Sequence, residues 1–223
     1  MFKSQLTSVF FMLLFALSPI YGDFELLELV STWPATFCYA YGCSRRRPIP
    51  NNFTIHGLWP DNKSIILNNC NVANKERYIK IEDPKKLTEL DKRWPQLRYD
   101  KLYGIDKQYL WEKEFLKHGT CSINRYKQAA YFDLAMNIKD RFDLLGTLRN
   151  HGINPGSTYD LDDIERAIKT VSIKVPSLKC IEKPPGNVEL NEIGICLDPE
   201  AKYTVPCPRT GSCHELGPRI KFR

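Results

Sequence analysis

Residues 53–60 read FTIHGLWP, and up to the histidine the side chains alternate between two faces. Phe53 and Ile55 point one way and Thr54 and His56 the other, the period of a half-buried strand with His56 at its last position. A second stretch, EFLKHGTC at 114–121, sets another histidine before another glycine. As a helix it places residues 110, 114 and 118 on one face, so Glu114 lies beside His118, and Lys117 stands roughly a hundred degrees round. Gly119 then turns the chain away from the helix end. The chain has only four histidines. One histidine at a helix C-terminus is commonly a dipole partner, but two in parallel His-Gly settings point to one shared site. His151 and His214 lie in loop contexts without such neighbours and read as structural.

The flanking segments set the fold class. Residues 24–38 (FELLELVSTWPATFC) favour a strand ended by Trp33-Pro34, and an Arg- and Pro-rich turn, SRRRPIP, leads into NNFTIH. Asp83-Pro84 predicts a helix start, with Leu87, Leu90 and Trp94 as its apolar stripe and Pro95 as its end. YLWEKEFLKHG is the helix of the second histidine. Residues 128–145 predict one long amphipathic helix, with Tyr131, Leu134, Ala135, Ile138, Phe142 and Leu145 on one side. NPGST reads as a loop, Asp160 as the cap of a helix to about Val171, and the Pro- and Gly-rich remainder as short strands. Strands and helices do not alternate regularly. The expected fold is therefore α+β, a central antiparallel sheet packed against several helices and stapled by disulfides. Nothing in residues 23–223 marks a domain boundary, so a single domain is expected there.

With 223 residues, 43% of them hydrophobic, the chain can bury a sizeable core. Lys3, the apolar run Val9–Leu17 and the following SPIYG predict a secretory signal over residues 1–22, too short and one-sided to span a membrane. A soluble protein without membrane contact is expected from Asp23 onward. Eight cysteines follow (Cys38, Cys43, Cys70, Cys121, Cys180, Cys196, Cys207 and Cys213). An even count behind a signal implies disulfides, and no C-x-x-C pair suggests zinc, so no metal site is expected. Two sequons, Asn52-Phe-Thr and Asn62-Lys-Ser, are glycosylation candidates in that compartment. The formal charge of +6 suits an anionic partner without identifying one.

Two imidazoles, a carboxylate and an ammonium suit phosphodiester transfer in RNA. A neutral histidine removes the ribose 2′-OH proton and a protonated one donates to the departing 5′-oxygen, and imidazole titrates where both are possible. Lys117 and Glu114 would organise charge on the crowded phosphorane, where one well-placed donor contributes about 3–4 kcal/mol. DNA lacks the 2′-OH and could not react this way. Trp59 either stacks on a base or fills the core, and the sequence leaves both open.

Together FTIHGLWP and KHGTC resemble the two signature segments of the T2-type ribonuclease family, over essentially the whole chain from Asp23. The chain is most similar to the S-ribonucleases of nightshade-type self-incompatible plants. The resemblance implies a secreted endoribonuclease that cleaves single-stranded RNA through a 2′,3′-cyclic phosphate, without metal or cofactor. It implies His56 as general acid and His118 as general base, with Glu114 and Lys117 assisting at the phosphate. Substrate contacts are implied at Thr32, Gln96, Leu97 and Leu110, with Trp59 near the base. Thr32 stands where the family usually carries Gln, and Leu110 where it carries Phe, changes that loosen substrate contacts. Lys113 stands where fungal members have a third histidine.

The same resemblance implies the disulfides Cys38–Cys43, Cys70–Cys121, Cys180–Cys213 and Cys196–Cys207. It places the charged stretch 72–93 where S-ribonucleases carry their allele-specific surface. It further implies a monomer, extracellular in the style's transmitting tract, that determines gametophytic self-incompatibility and meets F-box-type recognition proteins in pollen. The alternatives are a general extracellular ribonuclease for phosphate recovery or defence, and a catalytically silent storage or recognition relative. The presence of both histidines with Glu114 and Lys117 speaks against silence.

Overall fold

A computed structural model describes residues 24–70 and 76–223. The signal expected at 1–22 and the start of the 72–93 stretch lie outside the described residues. The strands are β1 (Leu26–Thr32), β2 (Thr54–Asp61), β3 (Ser157–Asp160), β4 (Ser177–Glu182), β5 (Val188–Leu197) and β6 (Arg219–Phe222). They form one sheet in the order β2-β1-β5-β6-β3, with β4 also paired to β5. The expected antiparallel sheet is there, and only β5 and β6 meet through a parallel pair, Glu189 with Lys221. All residues of β1 and β5 are buried, which makes these two the centre of the sheet.

The helices are α1 (Pro34–Tyr41), α2 (Pro84–Arg93), α3 (Lys101–Lys107), α4 (Tyr109–Lys117), α5 (Gln128–Arg141), α6 (Leu144–Asn150), α7 (Leu161–Ser172) and α8 (Cys213–Leu216). Asp83 caps α2 by accepting the Lys85 N–H, with Pro84 in the first turn, as read from the sequence. The long helix expected over 128–145 is instead two. Phe142 is extended, and Asp143 starts α6 by accepting the Gly146 N–H at 3.0 Å. The apolar stripe continued across this break, so periodicity alone could not reveal it. Trp33-Pro34 ends β1 as expected, but the residues beyond form α1, with Pro34 in its first turn. Helix α3 was not anticipated, the end of the expected NPGST loop joins Tyr159 and Asp160 in β3, and β5 is longer than the short strands foreseen. Leu27, Leu29, Ile55, Leu58, Trp94, Trp111, Phe115, Tyr131 and Phe132 belong to the main core between sheet and helices.

The strand that carries His56 departs from regular pleating in one place. Ile55 lies opposite Ser31 and Gly57 opposite Val30, so His56 has no partner on β1 and forms a β-bulge. His56 is therefore mid-strand, not last, and β2 continues to Asp61. The extra residue resets the alternation. Ile55 and Leu58, three apart, both join the core, and His56 and Trp59, also three apart, come into ring contact. β2 is an edge strand, and two helical-layer side chains stand in for the missing neighbour. Trp94 Nε1 donates to the His56 carbonyl at 2.8 Å, and the Tyr131 hydroxyl donates to the Leu58 carbonyl at 2.7 Å.

Four disulfides tie the chain: Cys38–Cys43, Cys70–Cys121, Cys180–Cys213 and Cys196–Cys207. Among the described residues no helix is long and apolar enough to cross a membrane.

Candidate active site

A cleft of about 620 Å³ opens between β1, β2 and β5 on one side and the start of α4 on the other. His56, Glu114, Thr32, Gln96, Leu97 and Leu110 all line it, together with Lys113, Lys179 and Glu192. His118, Lys117 and Trp59 lie beside it rather than on its wall.

His56 is half-buried, and its Nδ1 is 2.6 Å from Glu192 Oε1, with Nε2 3.7 Å from Glu114 Oε1. Burial opposes the imidazolium, but the Glu192 carboxylate, its hydrogen bond and the Glu114 charge outweigh it, and the His56 pKa is raised. Glu192 shows the reciprocal effect. Burial pushes its carboxyl up, yet His56, Lys179 and the Thr32 hydroxyl hold it below its ordinary value. Thr32 Oγ1 donates to the same oxygen at 3.4 Å. The Nδ1 contact leaves Nε2 as the nitrogen that can present a proton toward the cleft.

His118 is the opposite case. It is only 5% exposed, its Nδ1 has no hydrogen-bond partner among the described residues, and its pKa is lowered to about 3. Burial is the main cause, joined by the Lys117, His56 and Lys179 charges. Helical spacing alone puts Glu114 beside His118, where a carboxylate would favour a charged imidazole. The structure instead turns Glu114 away: Trp59 Nε1 donates to its Oε2 at 3.1 Å, and its other oxygen faces His56. Lys117 is exposed next to His118 and repels a proton from it.

The Trp59 ring links the two imidazoles. It stacks on His118 at 4.9 Å and meets His56 edge-on at 5.3 Å, and Lys179 Nζ sits 4.0 Å from its centroid. Neither sequence reading of Trp59, base wall or core filler, included this role. Gly57 follows from it, because a methyl there would collide with the Trp59 indole nitrogen and the Glu114 carboxylate. The glycine makes room for that pair. Gly119 is likewise explained by contact, lying against the Phe115 ring, and its backbone is not left-handed.

Of the remaining expected contacts, Gln96 is buried and both ends of its amide are engaged. Its Nε2 donates to the Gly104 carbonyl and its Oε1 accepts the Leu110 N–H at 2.9 Å. It shapes the cleft wall by clamping α3 to α4. Leu97 is buried and Leu110 half-buried on the same wall. Asn52 is exposed before β2, and Asn62 is half-buried, its Oδ1 accepting the Glu25 N–H at 3.0 Å.

Sequence reasoning missed Glu192 and Lys179. Lys179 lies 3.8 Å from Glu192 and 3.9 Å from the buried Glu28. A signal existed: β5 reads VELNEIGICL, and a carboxylate inside a buried strand demands a partner. The identity of that partner was invisible, since His56 is 136 residues away.

The comparisons with known proteins agree with this architecture. The Ribonuclease T2 family model matches residues 24–207. The chain is 50% identical to Ribonuclease S-2 of Solanum tuberosum and 47% identical to Ribonuclease S-2 of Nicotiana alata, covering all of both chains in each case. The crystal structure of the gametophytic self-incompatibility associated SF11-ribonuclease of Nicotiana alata superposes with a TM-score of 0.85 at 49% identity, over 90% of this chain and 100% of that one. The chain belongs to the ribonuclease T2 family and is a T2-type endoribonuclease acting on RNA.

Proposed function

We propose that the protein cleaves single-stranded RNA by metal-independent transphosphorylation, with His118 as general base and His56 as general acid. The observation that carries this reading is the opposite charge preference of two imidazoles in contact with one indole ring. Neutral His118 takes the proton of the 2′-hydroxyl, and the 2′-oxygen attacks phosphorus. The bond from phosphorus to the 5′-oxygen breaks, and that oxygen takes the proton from His56 Nε2. Hydrolysis of the cyclic phosphate runs the roles in reverse, with His56 activating water. Lys117 supplies positive charge near the phosphorane, and Glu114 fixes Trp59 and supports the charged His56. His118 is nearly closed off, with Trp59 stacked on its ring and the Leu67 backbone hydrogen-bonded to it, so productive binding includes a shift of one of these that opens it to the substrate.

The test is incubation of the purified protein with single-stranded RNA in EDTA, with product ends analysed. Products ending in 2′,3′-cyclic phosphate are expected, and intact RNA from acid to neutral pH would overturn the mechanism.

The similarity, over 90% of this chain, to a self-incompatibility associated ribonuclease supports a role as the stylar determinant of gametophytic self-incompatibility. In that reading residues 1–22 are a secretory signal, Asn52 and Asn62 accept glycan, and the chain acts as an extracellular monomer that meets F-box-type proteins in pollen. Silencing the transcript in styles should let pollen of the matching haplotype grow through. Unchanged rejection would refute the role while leaving the chemistry intact.

A further inference from the structure

The cleft does not end at the groups that react. On the α3–α4 side three tyrosine rings cluster at its rim, with centroid separations of 5.5 Å for Tyr99–Tyr103, 5.7 Å for Tyr99–Tyr109 and 6.4 Å for Tyr103–Tyr109. Tyr99 and Tyr109 line the cleft, and Tyr103 carries the surface outward. Tyr103 and Tyr109 are 46% and 45% exposed, so they are not core residues.

The scaffold under these rings is fixed. Gln108 joins α3 to α4 in a left-handed conformation and is itself buried. Its Oε1 accepts from the Tyr78 hydroxyl at 2.6 Å and the Ile81 N–H at 3.0 Å, and its Nε2 donates to the Ile81 carbonyl at 2.7 Å. Gln96 clamps the same two helices from the cleft side. Two buried amides thus hold a set of rings whose faces remain in solvent, the arrangement of a preorganised contact surface.

Charge selects the occupant. Arg98 and Lys113 line the cleft beside the rings, are exposed, and form no ion pair among the described residues. Lys107 Nζ lies 6.0 Å from the Tyr103 ring centre. Of the neighbouring carboxylates, Asp100 is engaged by Ser44 and Arg46, and Asp106 by Lys80 and Lys107. Aromatic faces interleaved with free cations, continuous with a cleft that cuts RNA, match a flexible polyanion with stacking bases.

We propose that Tyr99, Tyr103 and Tyr109, with Arg98 and Lys113, form an additional nucleotide subsite that binds single-stranded RNA beyond the two nucleotides flanking the scissile bond. The proposal rests on the ribonuclease reading of the cleft. It adds that affinity grows with chain length on the tyrosine side.

The test measures binding without cleavage, using 2′-deoxy oligomers that cannot react. Fluorescence anisotropy would compare a dinucleotide, by competition, with a hexanucleotide on the wild-type protein and on Tyr103→Ala and Tyr103→Phe. The hexanucleotide should bind more tightly than the dinucleotide. Tyr103→Ala should weaken hexanucleotide binding relative to dinucleotide binding by roughly tenfold, within what stacking on one ring supplies, and Tyr103→Phe should keep the wild-type ratio. Equal affinity for the two lengths, or a ratio untouched by Tyr103→Ala, would overturn the subsite and leave the patch to a protein partner. Cyclic-phosphate analysis is read separately, so failure of the two-histidine mechanism would leave this length comparison standing.

Discussion

Replacing Glu192 by Gln removes a charge from His56 while keeping an oxygen that can accept the Nδ1 proton. The wild-type contact is short, 2.6 Å, between groups that are both charged in the state that donates to the leaving oxygen. A hydrogen bond to a charged partner contributes about 1.5–3 kcal/mol. His56 leaves 35% of its side chain in solvent, which screens the pair and favours the lower end of that range. About 1.5 kcal/mol corresponds to roughly a tenfold loss in kcat/KM. The loss should not be uniform in pH. His56 must be protonated to act as acid, and without the Glu192 charge its proton leaves earlier. The alkaline limb of the kcat/KM profile therefore moves to lower pH, with the acid side nearly unaffected. Glu192→Ala, which also removes the acceptor, should lose more at every pH because the ring is no longer oriented. The assay is initial-rate cleavage of a dinucleoside phosphate over a pH series. An alkaline limb that stays in place in Glu192→Gln, with kcat/KM within about twofold of wild type, would refute the assignment of His56 as the acid held charged by Glu192.

His118 is neutral above about pH 3, so wild-type activity should be flat from about pH 4 up through the ordinary histidine value of 6.5 and fall only beyond it; an acid limb near pH 6 would contradict the neutral base. His118→Asn should abolish cleavage and keep the far-UV circular dichroism of wild type. Because His118 binds its proton far more weakly folded than unfolded, wild-type stability should fall as pH drops from 6.5 toward 3, and denaturant titrations should show His118→Asn losing less over that window. Gly57→Ala forces a methyl into the Trp59–Glu114 contact and should cost about 1–3 kcal/mol of stability with a loss of activity; a variant as stable as wild type would mean the contact is loose. Removing Cys70–Cys121, which closes a segment of 51 residues, should cost about 4 kcal/mol, read as a drop in thermal midpoint when both cysteines become alanine.

The segments whose structure is set by local chemistry were legible. Asp83-Pro84 starts α2 because an aspartate oxygen and a fixed proline φ suit that first turn in any context. The helix over YLWEKEFLK and the inward face of α5 follow from side-chain spacing. The His-Gly pairs singled out His56 and His118 because so few histidines are present and both sit in the same setting. Helices α1 and α3 were missed because aromatic and β-branched residues near Trp33 mimic a strand, and because α3 is short and weakly patterned.

The charge states of the site were decided by the tertiary structure alone. A bulge in β2 turns His56 and Trp59 onto one surface, and its cause lies in the register with β1, which no stretch of β2 records. Glu192 reaches His56 only because β5 crosses beside β1, and that contact keeps one imidazole charged. Burial at the end of α4 keeps the other neutral, although the helix end and a nearby glutamate argued from sequence for the reverse. Residue types and their local spacing named the chemical groups. Which of them holds a proton depends on desolvation and on charges brought close from far along the chain, and only the folded sheet sets those distances.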